Sequence, residues 1–129
     1  MIGQFSPQLR ADEDVLPFRL VMMNDSGEGR ETSGATSVVI GVSQGSNRRF
    51  DDDNHAIIGE PINLQPGTYV RVEAGEAISV PSLIRPSAQG LAMVVDTETD
   101  IVCGEAMEDA ADPNEIFLMR LIPAATAKS

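Results

Sequence analysis

The sequence has no tryptophan, one tyrosine, one histidine and one cysteine. With Cys103 alone, no intrachain disulfide can form, which suits assembly in a reducing cytoplasm. His55 has no recognisable partner, whereas a general base or an activated nucleophile needs one. A sugar platform stacks its ligand on aromatics, which are scarce here. Basic charge is also short: Lys and Arg number 9 against 20 Asp and Glu, a net charge of −11. Such a surface cannot neutralise many phosphates and is repelled by anionic lipid. Nucleic acid and membrane are therefore not expected partners. No apolar run approaches the roughly 20 residues that span a bilayer. Gln4, Pro7, Gln8 and Arg10 break the N-terminus early, so no signal peptide is expected.

What is present is aliphatic. At 129 residues the chain is one domain on length grounds, and Val, Ile, Leu, Met and Ala must fill its core. Gly75 to Pro123 reads as short apolar runs, each closed by Gly, Pro or Asp. That punctuation predicts strands joined by tight loops, not helices. Upstream, Phe18 to Met23 and Thr36 to Val42 read as strands. Gly41 marks a bulge or a close backbone approach. Thr68 to Glu73 alternates, with Tyr69, Arg71 and Glu73 on one face and Val70 and Val72 on the other. In the last run Phe117, Met119 and Leu121 share a face. Ile116, Leu118 and Ile122 share the other, interrupted by Arg120. A strand apolar on both faces is central to a closed barrel or covered by another subunit. The expected fold is all-β: a small single-domain β-barrel or β-sandwich over 18–123, with long polar loops. An extended N-terminal arm over 1–17 and a flexible tail over 124–129 flank it.

The candidate contact residues are apolar or arginine. In the arm, Ile2, Phe5, Leu9, Val15 and Leu16 are spaced apolar anchors, and Arg10 stands among them. In the polar loop from Ser43 to Asn54, Arg48, Arg49 and Phe50 precede Asp51, Asp52 and Asp53. Aspartates suit calcium or magnesium, but this loop lacks the alternating ligands and central glycine of an EF-hand. A solvated charged turn is the simpler reading. Arg48 and Arg49 are candidates to pair with carboxylates of a neighbouring chain. Tyr69 and Arg71 are residue types enriched at interface hot spots, and Arg120 joins them. Cys103 lies in an apolar strand and reads as a small core residue. No catalytic residue, metal or cofactor is expected.

One local pattern recurs. Gly59-Glu60-Pro61-Ile62 is followed by Gly75-Glu76-Ala77-Ile78, and more weakly by Asn114-Glu115-Ile116-Phe117. Gly and Asn tolerate the left-handed backbone. Each copy reads as a sharp turn, with the glutamate keeping the start of the strand solvated.

Several elements come in a fixed order: Ile40-Gly41-Val42-Ser43-Gln44, Ala56-Ile57-Ile58-Gly59-Glu60-Pro61-Ile62, Pro66-Gly67 and Glu73-Ala74-Gly75. Val80-Pro81-Ser82-Leu83-Ile84-Arg85-Pro86, Gly90, Val102-Cys103-Gly104-Glu105-Ala106-Met107-Glu108 and Glu115 to Leu121 follow. This order resembles the capsid cement (head decoration) proteins of tailed bacteriophages, the DUF2190-like type, over roughly Val38 to Ile122. Val80-Pro81-Ser82-Leu83 and Asp112-Pro113-Asn114-Glu115 depart from the family's turns, the former by losing a glycine. The resemblance implies a homotrimer, or a dimer, made in the host bacterial cytoplasm and placed on the capsid exterior of the virion. There it would bridge neighbouring copies of the major capsid protein. Avidity among modest contacts would hold it, and its acidity would keep particles dispersed. The alternative is a small β-barrel binding module, a carbohydrate-binding or head-fibre domain. A small β-barrel hydrolase or metal enzyme lacks a recognisable constellation.

Overall fold

The computed structural model describes residues 9–44 and 59–126, and every regular element among them is a strand. β1 (Leu20–Met23), β2 (Gly29–Glu31) and β3 (Gly41–Val42) form one sheet in the order β2-β1-β3. β4 (Tyr69–Glu73), β5 (Leu83–Pro86), β6 (Ala92–Val94), β7 (Ile101–Ala106) and β8 (Ile116–Thr126) form a second, ordered β4-β8-β7-β5-β6. Pairing between these strands is antiparallel. The fold is a sandwich of two sheets. The barrel alternative is not realised, because neither sheet closes on itself among the described residues.

The main core lies between the sheets. Val70, Val72, Ile84, Cys103, Phe117 and Met119 come from the large sheet and meet Leu20 and Val42 from the small one. Successive strand residues point to opposite faces, so Val21 points away from Leu20. It enters a second cluster with Ala11, Val15 and Ile62, flanked by Leu9 and Leu64. β1 is thus buried on both sides, which explains why Phe18 to Met23 shows no alternation. Residues 9–12 and 61–64 complete this second layer through the bridges Ala11↔Gly29, Arg10↔Pro61 and Ser43↔Leu64. Of the stretch 1–17 read as an arm, Ala11 and Val15 are core residues here.

Two strand expectations change. The run Thr36 to Val42 contributes only Gly41–Val42 as a ladder. Residues 34–37 instead make a turn, with the Ser37 hydroxyl accepting the Ser33 and Gly34 amides. The last strand lies between β4 and β7 in an open sheet, not in a closed barrel. Its Phe117 and Met119 are fully buried, while Ile116 on the other face is exposed. Pro123 falls where Val102 pairs with Ala125 but Gly104 pairs with Leu121. Such an irregularity tolerates a residue without an N–H.

Candidate interaction surface

The outer face of the large sheet gathers three of the expected contact residues. Tyr69 stands opposite Arg120, Arg120 opposite Glu105, and Glu105 opposite Leu83. One row across β4, β8, β7 and β5 therefore reads Tyr, Arg, Glu, Leu. Arg120 donates from Nη2 to Glu105 Oε1 at 2.7 Å. Arg71, one step along β4, pairs with Glu108 at 3.3 Å and stands opposite Leu118. Glu108 also accepts the Leu118 amide at 3.0 Å, which fixes it over the sheet. Tyr69 is 58% exposed and Leu83 44%. Strand alternation put Tyr69 and Arg71 on one face in the sequence. The facing Glu105, Glu108 and Leu83 could not be read there, because register depends on partners far along the chain.

The other expected contacts lie elsewhere. Leu9 is half-buried against the second cluster. Arg10 donates from Nη1 to the Gly59 carbonyl at 2.9 Å. Ile2, Phe5, Arg48, Arg49, Phe50, His55 and the three aspartates lie outside the described residues.

Side chains and short segments cover the sheet edges. At β4 the Gln65 amide acts as a miniature strand. Its Nε2 donates to the Arg71 carbonyl at 2.6 Å and its Oε1 accepts the Arg71 amide at 2.8 Å. The same Nε2 donates to the Ser43 carbonyl at 3.1 Å, so one side chain ties the two sheets together. Farther along β4, the Glu73 amide donates to the Phe18 carbonyl at 2.8 Å. Phe18 adopts φ +62°, a left-handed backbone that disfavours a bulky residue. At β6 the Gly75 amide donates to Ala92 and the Val94 amide donates to Glu76 Oε2, both at 2.8 Å. β2 is covered at Gly29 by residues 10–12, and β3 by residues 63–65.

The recurring turn pattern has different causes in its three copies. Gly59 and Asn114 are left-handed, at φ +86° and +74°. Gly75 is not; a Cβ there would lie 2.7 Å from Met93 Sδ. Nor do the glutamates of the second and third copies merely face water, as expected. Glu76 caps β6, and Glu115 Oε1 accepts the Ala111 amide at 3.1 Å.

Two charged groups hold the joints. Arg19 reaches from the small sheet to Glu73 Oε1 at 3.2 Å and to the Gln89 carbonyl at 2.9 Å. Its Nη1 also lies 3.8 Å from Glu31 Oε2. Burial raises the Glu31 pKa; the Leu16 amide and Arg19 offset this only in part. Asp100 is buried under the turn before β7. Its Oδ2 accepts the Asp96 and Thr97 amides at 2.8 and 3.0 Å, and Oδ1 accepts the Thr97 hydroxyl at 3.0 Å. Those amide bonds hold its pKa below the usual carboxylate range, against the effect of burial. Arg85 Nε approaches Asp100 Oδ2 at 3.5 Å without hydrogen-bond geometry, so that contact is electrostatic only.

Chemistry elsewhere is sparse. An apolar cleft of ≈ 280 Å³ opens beside Val39, Ile40, Cys103, Leu121 and Ile122, and its one ionisable group is the Cys103 thiol. Burial pushes that thiol up to about 12. Among the described residues no three His, Cys, Asp or Glu side chains converge to hold a metal. Among the same residues no helix is long and apolar enough to cross a membrane.

Compared with known proteins, the chain matches no family model and no curated protein. Among solved structures it is similar to the head fibre gp8.5 N base of bacteriophage phi29. The TM-score is 0.69, over 91% of this chain and 92% of that one, at 20% sequence identity. At that identity the likeness is one of fold.

Proposed function

We propose that this protein is a structural component of a tailed-phage virion that attaches to the head, in the manner of a head-fibre base. The observation that carries the reading is the likeness to the phi29 head-fibre base, which spans nearly all of both chains. A rigid sandwich with covered sheet edges suits an attachment base, which must hold its shape under load.

The order of short elements quoted above favours a second, finer reading, that of a capsid cement protein. In that role a homo-oligomer bridges neighbouring major capsid subunits from outside. The two readings part in one experiment. Purified protein is mixed with mature heads lacking it, and the heads are sedimented and then heated. Co-sedimentation with an unchanged disruption temperature is expected of a fibre base. Co-sedimentation with a raised disruption temperature supports the cement role. Failure to co-sediment with heads from the same phage overturns both.

A further inference from the structure

We propose that the apolar cleft between the two sheets seats the chain's own first eight residues, with the Phe5 side chain as its occupant. The cleft exists because β8 outruns its neighbour. β4 begins at Tyr69, opposite Arg120, and the Leu121 amide donates to the Thr68 carbonyl at 2.7 Å just past that pair. Ile122 and Pro123 continue β8 beyond the end of β4. Across the gap stand Ile40 and Gly41 of the small sheet. Gly41 has no side chain to fill it, and a Cβ built there would point away from the gap, to 3.0 Å from Leu64 Cδ1. The space left is ≈ 280 Å³, and apart from Thr68 and the Cys103 thiol its lining side chains are apolar. A cavity of about 150 Å³ already holds a benzene ring, so a phenylalanine side chain fits here with room for its backbone.

Chain direction selects the occupant. Arg10 pairs with Pro61 antiparallel, and the Leu9 carbonyl accepts the Ile62 amide at 2.8 Å. Followed upstream, this pairing aims the chain from Leu9 along residues 63–65. Leu9 and Leu64 flank the same cluster, and Leu64 lies against Gly41 at the cleft wall. One layer of residues therefore separates the first described residue from the cleft. Phe5, four positions upstream of Leu9, has a reach of about 14 Å when the chain is extended. The eight residues MIGQFSPQ carry no charged side chain, in a chain of net −11. Entering a cleft without charge, they leave no side-chain ion unpaired. Phe5 is their one aromatic and buries the most apolar surface. Val38 and Ile40, exposed at the rim, are shaded by the same segment. The inference stands apart from head attachment, since it needs no capsid.

The test is paramagnetic broadening in the nuclear magnetic resonance spectrum of the full chain. A nitroxide is attached at Gln4→Cys, beside Phe5; Cys103 is shielded, so the introduced thiol takes the label. The amide resonances of Ile40, Gly67, Thr68 and Ile122 should be lost, while those of Asn114 and Glu115, at the opposite end of β8, should remain. Adding Phe5→Ser should restore the lost resonances. Ile40→Asp, at the exposed rim and outside both clusters, should restore those of Gly67, Thr68 and Ile122. A mixture of nitroxide-bearing chain with isotope-enriched chain lacking the nitroxide should show no loss in the enriched copy, because each segment sits in its own chain. Three results overturn the proposal. One is the absence of selective loss at the cleft. Another is loss that survives Phe5→Ser. The third is loss in the mixture, which would give the cleft to another copy's segment.

Discussion

At Gly90 two separate demands meet. The backbone is left-handed, at φ +71°, and a Cβ built there would lie 2.8 Å from the Leu20 carbonyl oxygen. Gly67 makes only the first demand: φ is +84°, with open space around it. Gly67→Ala should therefore cost about 1 kcal/mol of strain. Gly90→Ala should cost about 2–4 kcal/mol, because the backbone of β1 must also move. Urea denaturation of the two variants beside wild type measures the difference. Asp100 gives a prediction in pH. Its folded pKa is depressed, so its contribution to stability is fully present above the unfolded value of about 3.9. That contribution is lost as pH falls through the lower folded value. Asp100→Asn keeps one acceptor but gives up the charge that two amides address. It should lower stability at pH 7 by about 1–3 kcal/mol and flatten the acid limb of a melting-temperature profile between pH 2 and 5. Glu31 carries the opposite sign. Its raised pKa means that the folded state holds its proton longer, so its own contribution falls as pH rises from the unfolded value of about 4.3 through the higher folded one.

Among the elements, β4 shows how an edge is kept from pairing with another chain. Exposed strand edges template aggregation, and here one glutamine side chain supplies both a donor and an acceptor to Arg71. Gln65→Ala should destabilise the fold by about 1 kcal/mol, since the Arg71 amide and carbonyl and the part-buried Ser43 carbonyl lose their partner. Hydrogen exchange at the Arg71 amide should accelerate, and light scattering at high concentration should show larger species than wild type. Gln65→Glu retains the acceptor and loses the donor, so it should fall between the two. Much of β4 was legible beforehand: the alternation of Tyr69, Val70, Arg71, Val72 and Glu73 assigned both faces. β1 was legible only as a strand, since burial on both faces erases alternation. The role of Gln65 was not legible, because no local pattern says that a turn residue will act as a strand across the seam. The outer face was half legible for the same reason. Tyr69 and Arg71 came from period two, whereas Glu105 and Leu83 came from register.

For the whole molecule, two cores divide the work. The main cluster glues the sheets, and the second fastens residues 9–15 behind β1. Truncations should separate these roles. Removing residues 2–8 keeps every residue named in the two clusters, and its melting temperature is the baseline for the longer truncation. Removing residues 2–15 takes away Ala11 and Val15, and burial of a valine alone is worth roughly 1.5–3 kcal/mol. The longer truncation should melt at a much lower temperature or fail to fold, as circular dichroism would report. A head-binding assay on the shorter truncation, compared at a temperature where it is folded, then asks whether the first eight residues contribute to attachment.

Cys103 ends up in an unreactive position. It is 1% exposed, and burial pushes its thiol up to about 12. The thiolate, the form that oxidises and exchanges, is therefore scarce at pH 7. A sole thiol that is both shielded and protonated keeps no covalent record of an oxidising medium. Such a chain should form no disulfide with a neighbour and need no reductant in storage, and its electrophoretic mobility should be the same with or without a reducing agent.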